Sequence, residues 1–214
     1  MLSQFWDIRC TVSHMVAPYT ADEVRHLVTP GPASLEVADH PSVEGIAPHF
    51  ASLSTPPTSE LADELDGAAD WLGVRVEEIL LAALGRTLGR TRGEGVVAVD
   101  VTGEHRWLYH TVSLICSDAP AMGPTEMLQG AHNTLAAAPG RPTAQSEVLL
   151  NVADDQNEAG GGHVFELLVH RTEGQVQLDW RYDATRFDAY SVEELAEQFP
   201  LALIEITSDA AAPL

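Results

Sequence analysis

Residues 61–106 constrain the fold of this chain more than any other stretch, because they predict two amphipathic helices followed by an apolar strand. The first helix ends at Gly73, since glycine is favoured just after a helix. Glutamates open the second helix and arginines close it, as the helix dipole favours. The helical period of the apolar residues is the main evidence, and their positions are Leu61, Leu65, Ala68, Ala69 and Leu72, then Val76, Ile79, Leu80, Ala83, Leu84 and Leu88.

The strand that follows this helix pair reads VVAVDV over residues 96–101. Such a run is typical of a strand that is covered on both faces. It ends in a corner, Gly103 to Arg106, from which a second apolar strand at 111–116 continues the chain. The helices and these strands together predict the scaffold of the protein.

The remaining elements complete an α/β pattern. GIAPHFASLS (45–54) predicts a short strand, which Pro48 assigns to a sheet edge. A helix from Pro124 and a strand at 146–152 follow. Alternating apolar residues then predict a hairpin that turns at Glu173-Gly174.

The last helix is expected to start with a capping box, in which Ser191 and Glu194 satisfy backbone N–H groups, and to bend at Pro200. The acidic, glycine-rich segment 153–162 is expected to be a mobile loop. The fold class is therefore α/β, a mixed-sheet sandwich with helices on one or both faces. We expect an irregular N-terminal extension at 1–45, one domain at 46–208 and a frayed tail at 209–214.

Composition excludes several functions. The net charge is −21, with 32 acidic and 11 basic residues, so nucleic acid and anionic membranes are poor partners. The chain has no lysine, which excludes Schiff-base chemistry on a lysine. Two cysteines and no signal-peptide pattern favour a reducing, cytoplasmic location. Cys116 lies in an apolar run and is expected to be a small core residue.

The ordered set of motifs resembles one known family. The succession is TSELADELDGAADWLGVRVEEILLAALGRTLGR, a strand with GEHR, TVSLICSDAP, EVLLNV, and QVQLDWRYDATRFDAYSVEELAEQF. It is similar to the C-terminal lobe of the condensation domains of nonribosomal peptide synthetases, which have the chloramphenicol-acetyltransferase-like fold. The resemblance covers roughly residues 34–206. The corner Gly103 to Arg106 matches a family corner, from which Glu104-His105 departs slightly.

The resemblance implies that half of a two-lobed domain is present. Complete members carry a His-His-x-x-x-Asp-Gly motif, whose second histidine is the presumed base, and these 214 residues contain no such motif. The resemblance therefore implies no catalytic residue of that kind. We expect no cofactor, and the histidine spacing predicts no metal site. The resemblance implies partners instead, either further copies of the chain or a synthetase or carrier-protein component.

The candidate site residues lie around the Gly103 corner. His105 is a weak catalytic candidate, since it can line a pocket with Arg106 or, as we favour, the two can simply hold the corner. Substrate- or partner-binding residues are expected at Arg106, Trp107, Tyr109 and Asn151. Asp154, Asp155 and Glu158 offer oxygen ligands for a cation, but a solvated acidic loop is the preferred interpretation.

Three functional hypotheses remain open. The preferred one is a truncated, stand-alone condensation-like protein that acts as a non-catalytic partner in natural-product biosynthesis. The second is an acyltransferase half whose active site is completed at an oligomer or partner interface. The third is an unrelated α/β protein, which a structure would reveal if the strand at 146–152 did not lie beside the strand at 96–101.

Overall fold

The computed structural model describes residues 33–103, 109–138, 146–153 and 162–214. These residues form six strands and four helices, in the order that the sequence predicts. The strands are β1 (Phe50–Ser54), β2 (Gly95–Thr102), β3 (Tyr109–Cys116), β4 (Val148–Ala153), β5 (Phe165–Thr172) and β6 (Gln175–Asp183). The helices are α1 (Ser59–Leu72), α2 (Val76–Arg92), α3 (Pro124–Ala137) and α4 (Ala189–Asp209).

One six-stranded mixed sheet organises the chain, with strand order β1-β6-β5-β4-β2-β3. β4 is parallel to both β2 and β5, and the other neighbours are antiparallel. β4 pairs directly with β2, with Val148 opposite Val99. This pairing is the one that the α/β interpretation requires, and it confirms the predicted fold class. β1 lies at an edge of the sheet, as Pro48 indicated.

The central helix, α2, is buried more completely than its sequence suggests. Every residue from Glu78 to Gly89 is buried, including Arg86 and Thr87. The expectation of a single apolar stripe is therefore wrong, because α2 contacts α1, α3, α4 and β3 and has no solvent face along this length. Gly89 permits this packing, since a Cβ at that position would overlap the backbone of Ser117.

The two faces of the sheet differ in kind. The helices pack on one face, where alternate residues of β2 (Val97, Val99 and Val101) join the main core. Between them on the opposite face, Ala98 is exposed and Asp100 is fully buried. The prediction that 96–101 is an apolar strand covered on both faces is therefore wrong, since the second face holds a polar residue that requires its own partners.

Local details confirm some predicted boundaries and correct others. Glu173 and Gly174 both have positive φ, which gives the tight hairpin turn that the sequence predicts. The prediction of a capping box is wrong, because α4 begins at Ala189. The Ser191 hydroxyl instead donates to the carboxylate of Asp39 at 3.1 Å. Pro200 lies inside α4, which continues beyond it.

Residues near the two ends of the described chain also pack on the domain. The N–H of Leu35 donates to the carbonyl of Val96 at 2.9 Å. The tail after α4 is not frayed, since the N–H groups of Ala211 and Leu214 donate to side chains of α3. The division at residue 45 stays a prediction. None of the helices in the described ranges is long and apolar enough to cross a membrane.

Candidate functional site

A cavity of about 570 Å³ lies at the carboxyl end of β2. Ligands of open α/β sheets commonly bind at the carboxyl ends of strands, where helices and loops diverge. We call this space the carboxyl-end cavity. The described residues that line it come from α1, the start of α2, the end of α3 and three strands, and they are Asp66, Ala69, Asp70, Val74, Arg75, Val76, Glu77, Val101, Gly103, His110, Leu135 and Arg171.

The charges of the carboxyl-end cavity are partly paired. Arg171 forms an ion pair with Asp66, and Arg75 Nε donates to Glu78 at 2.8 Å. Asp70 and Glu77 have no ion pair with another described residue, and the Glu77 carboxylate lies against Gly103. The local excess of negative charge favours a cationic or hydrogen-bond-donating ligand over an anionic one.

Among the described lining residues, His110 is the candidate for a binding or catalytic role. It lies near the start of β3, and its Nδ1 atom is buried without a hydrogen-bond partner. A buried ring nitrogen without a partner is energetically costly, and such groups are typical of binding or catalytic positions. The described lining residues include no serine, cysteine or lysine, and the charged side chains among them are acidic residues and arginines.

The site residues predicted from the sequence do not line this cavity together. His105, Arg106 and Trp107, like Asp154, Asp155 and Glu158, lie outside the described residues. The other two predicted binding residues, Tyr109 and Asn151, occupy one cross-strand row with Thr102 between them. The Thr102 hydroxyl donates to Asn151 Oδ1 at 2.5 Å. This row lies on the face of the sheet opposite the helices. The binding role expected of Asn151 stays a prediction.

A buried polar cluster lies one row along on the same face, which we call the open face because none of the described helices packs on it. We call it the Asp100 cluster, and it consists of Asp100, Thr111, Ser146, His163, Glu166 and Arg181. Both Asp100 and Glu166 are fully buried, although none of the described helices covers them. Leu149 of β4 separates the two carboxylates in the sheet.

Hydrogen bonds satisfy the Asp100 carboxylate from several directions. One oxygen accepts from the Thr111 hydroxyl at 2.5 Å. The other accepts from the Ser146 backbone N–H at 3.0 Å and lies 2.8 Å from His163 Nε2. Glu166 lies 3.7 Å from His163 Nδ1 and accepts from Arg181 at 3.2 Å. Two carboxylates thus face two cationic groups, which is how buried charge is tolerated.

The electrostatics of this cluster fix the state of His163. Burial alone lowers the pKa of the imidazole, but Glu166 and Asp100 outweigh burial and raise the pKa above its ordinary value. A general base must be neutral near the working pH. The raised pKa favours the protonated form of His163 between the two carboxylates, as in a structural ion network.

Sequence reasoning missed this network because each member carries a weak signal by itself. Asp100 lies within a valine-rich run, and His163 and His170 lie seven residues apart with no metal-ligand spacing. Those two histidines bind separate carboxylates, since His170 Nε2 lies 3.0 Å from Asp179. A carboxylate inside an apolar strand was the available signal, because it needs a buried partner.

The predicted role of Cys116 is confirmed, and β6 adds a cross-strand ion pair. Arg181 lies directly opposite Glu166 in the β5–β6 register and bonds to it. Cys116 is buried in the main core, and burial raises the pKa of its thiol to about 12. Among the described residues, no group of three histidine, cysteine or acidic side chains has a geometry suited to a metal ion.

Comparison with solved structures identifies the fold. The epimerization domain from the third module of tyrocidine synthetase B superposes with a TM-score of 0.65 at 14% identity, over 86% of this chain and 53% of that one. The first condensation domain of the CDA synthetase gives 0.59 at 18%, over 88% and 50%. This is the fold of one condensation-domain lobe. The cyclization-docking bidomain from Sorangium cellulosum agrees, at 0.62 and 15% identity over 89% and 47%.

Sequence comparison adds relatives from polyketide synthesis. The phenolphthiocerol/phthiocerol polyketide synthase subunits E of Mycobacterium tuberculosis and Mycobacterium bovis are 30% identical to this chain over 78% of its length. This chain spans only 15% of those subunits, and about half of the solved domains above. No family model matches the sequence. The condensation-lobe resemblance is confirmed as a fold, and the chance-similarity hypothesis is rejected.

Proposed function

We propose that this chain is a non-catalytic, condensation-domain-like component of a cytoplasmic assembly line for polyketides or nonribosomal peptides. In this role it acts as a partner that binds a second synthase component and does not form amide or ester bonds itself. The observation that carries the proposal is the pairing of a condensation-lobe fold with 214 residues that lack His-His-x-x-x-Asp-Gly.

The geometry of the described histidines supports a non-catalytic role. His163 has the appearance of a catalytic pair with Asp100, but its raised pKa and its burial favour the role of a structural cation. His110 faces a cavity, but no described lining residue beside it is a nucleophile that it could activate. The similarity to polyketide synthase subunits supports a place in such a pathway.

The partner is either another copy of the chain or a synthase component. The net charge of −21 opposes self-association at low salt, because like charges repel over roughly 10 Å at 0.1 M salt. A homo-oligomer should therefore tighten as salt rises, whereas a complex with a basic surface should loosen. We favour the complex, and sedimentation at two salt concentrations separates the two.

A thiol-release assay tests the absence of catalysis. The purified chain is mixed with acyl-coenzyme A or an acyl-carrier thioester, together with amine and alcohol acceptors. We expect thiol release at the rate of the buffer alone. Turnover that His105→Ala or His110→Gln abolishes, while both variants stay folded, contradicts the proposal. Turnover that appears only in the oligomer favours the alternative, an acyltransferase half completed at an interface.

A further inference from the structure

An apolar groove of about 420 Å³ lies between α1 and α4. Its floor includes Pro56, Leu61, Leu178, Pro200 and Ile204. Ile204 is 53% exposed. Leu201, three residues before it on α4, is 55% exposed. Exposed aliphatic side chains beside an apolar depression are typical of binding surfaces.

The two helices that border this groove share an unusual charge. α1 and α4 each contain five carboxylates and neither contains a lysine or arginine. Only Asp66 and Glu205 among these carboxylates form ion pairs with described residues. The other carboxylates therefore leave uncompensated negative charge along both helices.

Part of that charge lies at the groove itself. Glu60 and Glu64 are lining residues on the α1 side. On α4, Glu197 precedes Leu201 by four residues and Ile204 by seven, so the three share one helical face. The Glu64 carboxylate accepts from the Thr207 hydroxyl, which holds it in place between the helices. An apolar floor is thus bordered by carboxylates on both sides.

This arrangement selects its occupant by chemistry. An amphipathic helix fills such a groove with apolar residues spaced three and four apart. Arginine or lysine residues on its flanks meet the two acidic borders, which gives both affinity and a fast approach. A second copy of this chain brings the same acidic helices and is repelled, and an acidic carrier protein is repelled for the same reason.

We propose that the α1–α4 groove is a docking site for a basic amphipathic helix of a partner protein. The partner's apolar face covers Leu201 and Ile204, and its cationic flanks pair with Glu60 and Glu197. The groove and its charge exist independently of the pathway role proposed above, so either proposal can fail without the other.

Fluorescence anisotropy tests this with the full chain and a labelled 18-residue peptide of leucine and arginine in amphipathic helical order. A peptide of the same composition in scrambled order measures attraction by charge alone. The groove variants are Ile204→Gln and Glu60→Gln. Their matched controls are Ile115→Gln, at an exposed position on edge strand β3, and Glu126→Gln, at an exposed position on α3. Circular dichroism verifies that all four variants are folded.

We expect each groove variant to weaken binding of the ordered peptide by about tenfold. Each control variant should weaken that binding by less than about twofold. The scrambled peptide should bind more weakly and respond equally to all four substitutions. Equal weakening by groove and control variants overturns the proposal, as does equal binding of the two peptides. Tighter binding in Ile204→Gln also overturns it, because the groove is then filled by the chain's own residues. The proposal is also overturned if the wild-type chain self-associates in sedimentation experiments and Ile204→Gln abolishes that association.

Discussion

The two faces of the sheet stabilise their buried side chains by different interactions. On the helix face, Phe165, Trp180 and their neighbours form one continuous apolar core, with aromatic rings in contact at 5.8 Å between centroids. On the open face, Asp100 and Glu166 are equally buried but depend on ion pairs and hydrogen bonds. The apolar face tolerates small adjustments, whereas each polar contact depends on one specific partner. The following predictions test that difference, from the largest expected effect to the smallest.

Substitution Asp100→Ala should be the most damaging change. It leaves His163, the Ser146 N–H and the Thr111 hydroxyl without their shared acceptor inside the protein. Removal of one member of a buried charge network costs about 3–5 kcal/mol. Urea unfolding monitored by circular dichroism measures this loss.

Ser113→Ala is the matched control, because Ser113 is exposed on the same face of the sheet, on β3. Its effect should stay within about 0.5 kcal/mol of wild type. If Asp100→Ala and Ser113→Ala have similar unfolding free energies, the Asp100 cluster contributes nothing to stability and the comparison of the faces fails.

Gly89→Ala tests how closely α2 approaches the β3–α3 connection. The new methyl group would overlap the backbone of Ser117, which cannot move aside as a flexible side chain could. We expect a loss of about 1–3 kcal/mol, typical of overpacking, in thermal or urea unfolding.

The contrasting substitution is Gly67→Ala on α1, where a methyl group meets nothing within 4 Å. Alanine is a better helix former than glycine, so this variant should gain about 0.5–1 kcal/mol. Stabilisation by both substitutions would show that α2 lies farther from Ser117 than the structure has it.

The pH dependence of stability tests the charge of His163. Its pKa is raised in the folded state above the ordinary value of 6.5. Its contribution is therefore fully present below about pH 6.5 and is lost as the pH rises through the folded pKa. The stability difference between wild type and His163→Gln should shrink between about pH 6 and pH 9, as measured by urea unfolding at each pH. A constant difference would mean that His163 stays neutral.

The helix face was predictable from sequence because its evidence is repeated many times. Val176, Leu178, Trp180 and Tyr182 alternate along β6, and all four are buried as predicted. Leu80 and Leu84 are also completely buried, as the helical period indicated. Each such position adds to a periodic signal that no single residue could reverse.

The open face and the candidate site were not predictable in the same way. His163 and Asp100 are 63 residues apart, and only the β2–β4–β5 pairing brings them together. His110 alternates with apolar residues in β3, where nothing in the sequence reveals the cavity beside it. Polar networks depend on exact three-dimensional register, whereas apolar patterns depend only on local period.

The position of β1 at the far edge of the sheet has a consequence for synthesis on the ribosome. Among the described residues β1 pairs with β6 alone, so Phe50 is synthesised roughly 10 s before its partner Asp183 at ordinary elongation rates. β2 likewise exposes one edge until β4 has emerged. We therefore expect unpaired strand edges while residues 50–183 are synthesised, and slower folding than in a chain whose strands pair with their sequence neighbours.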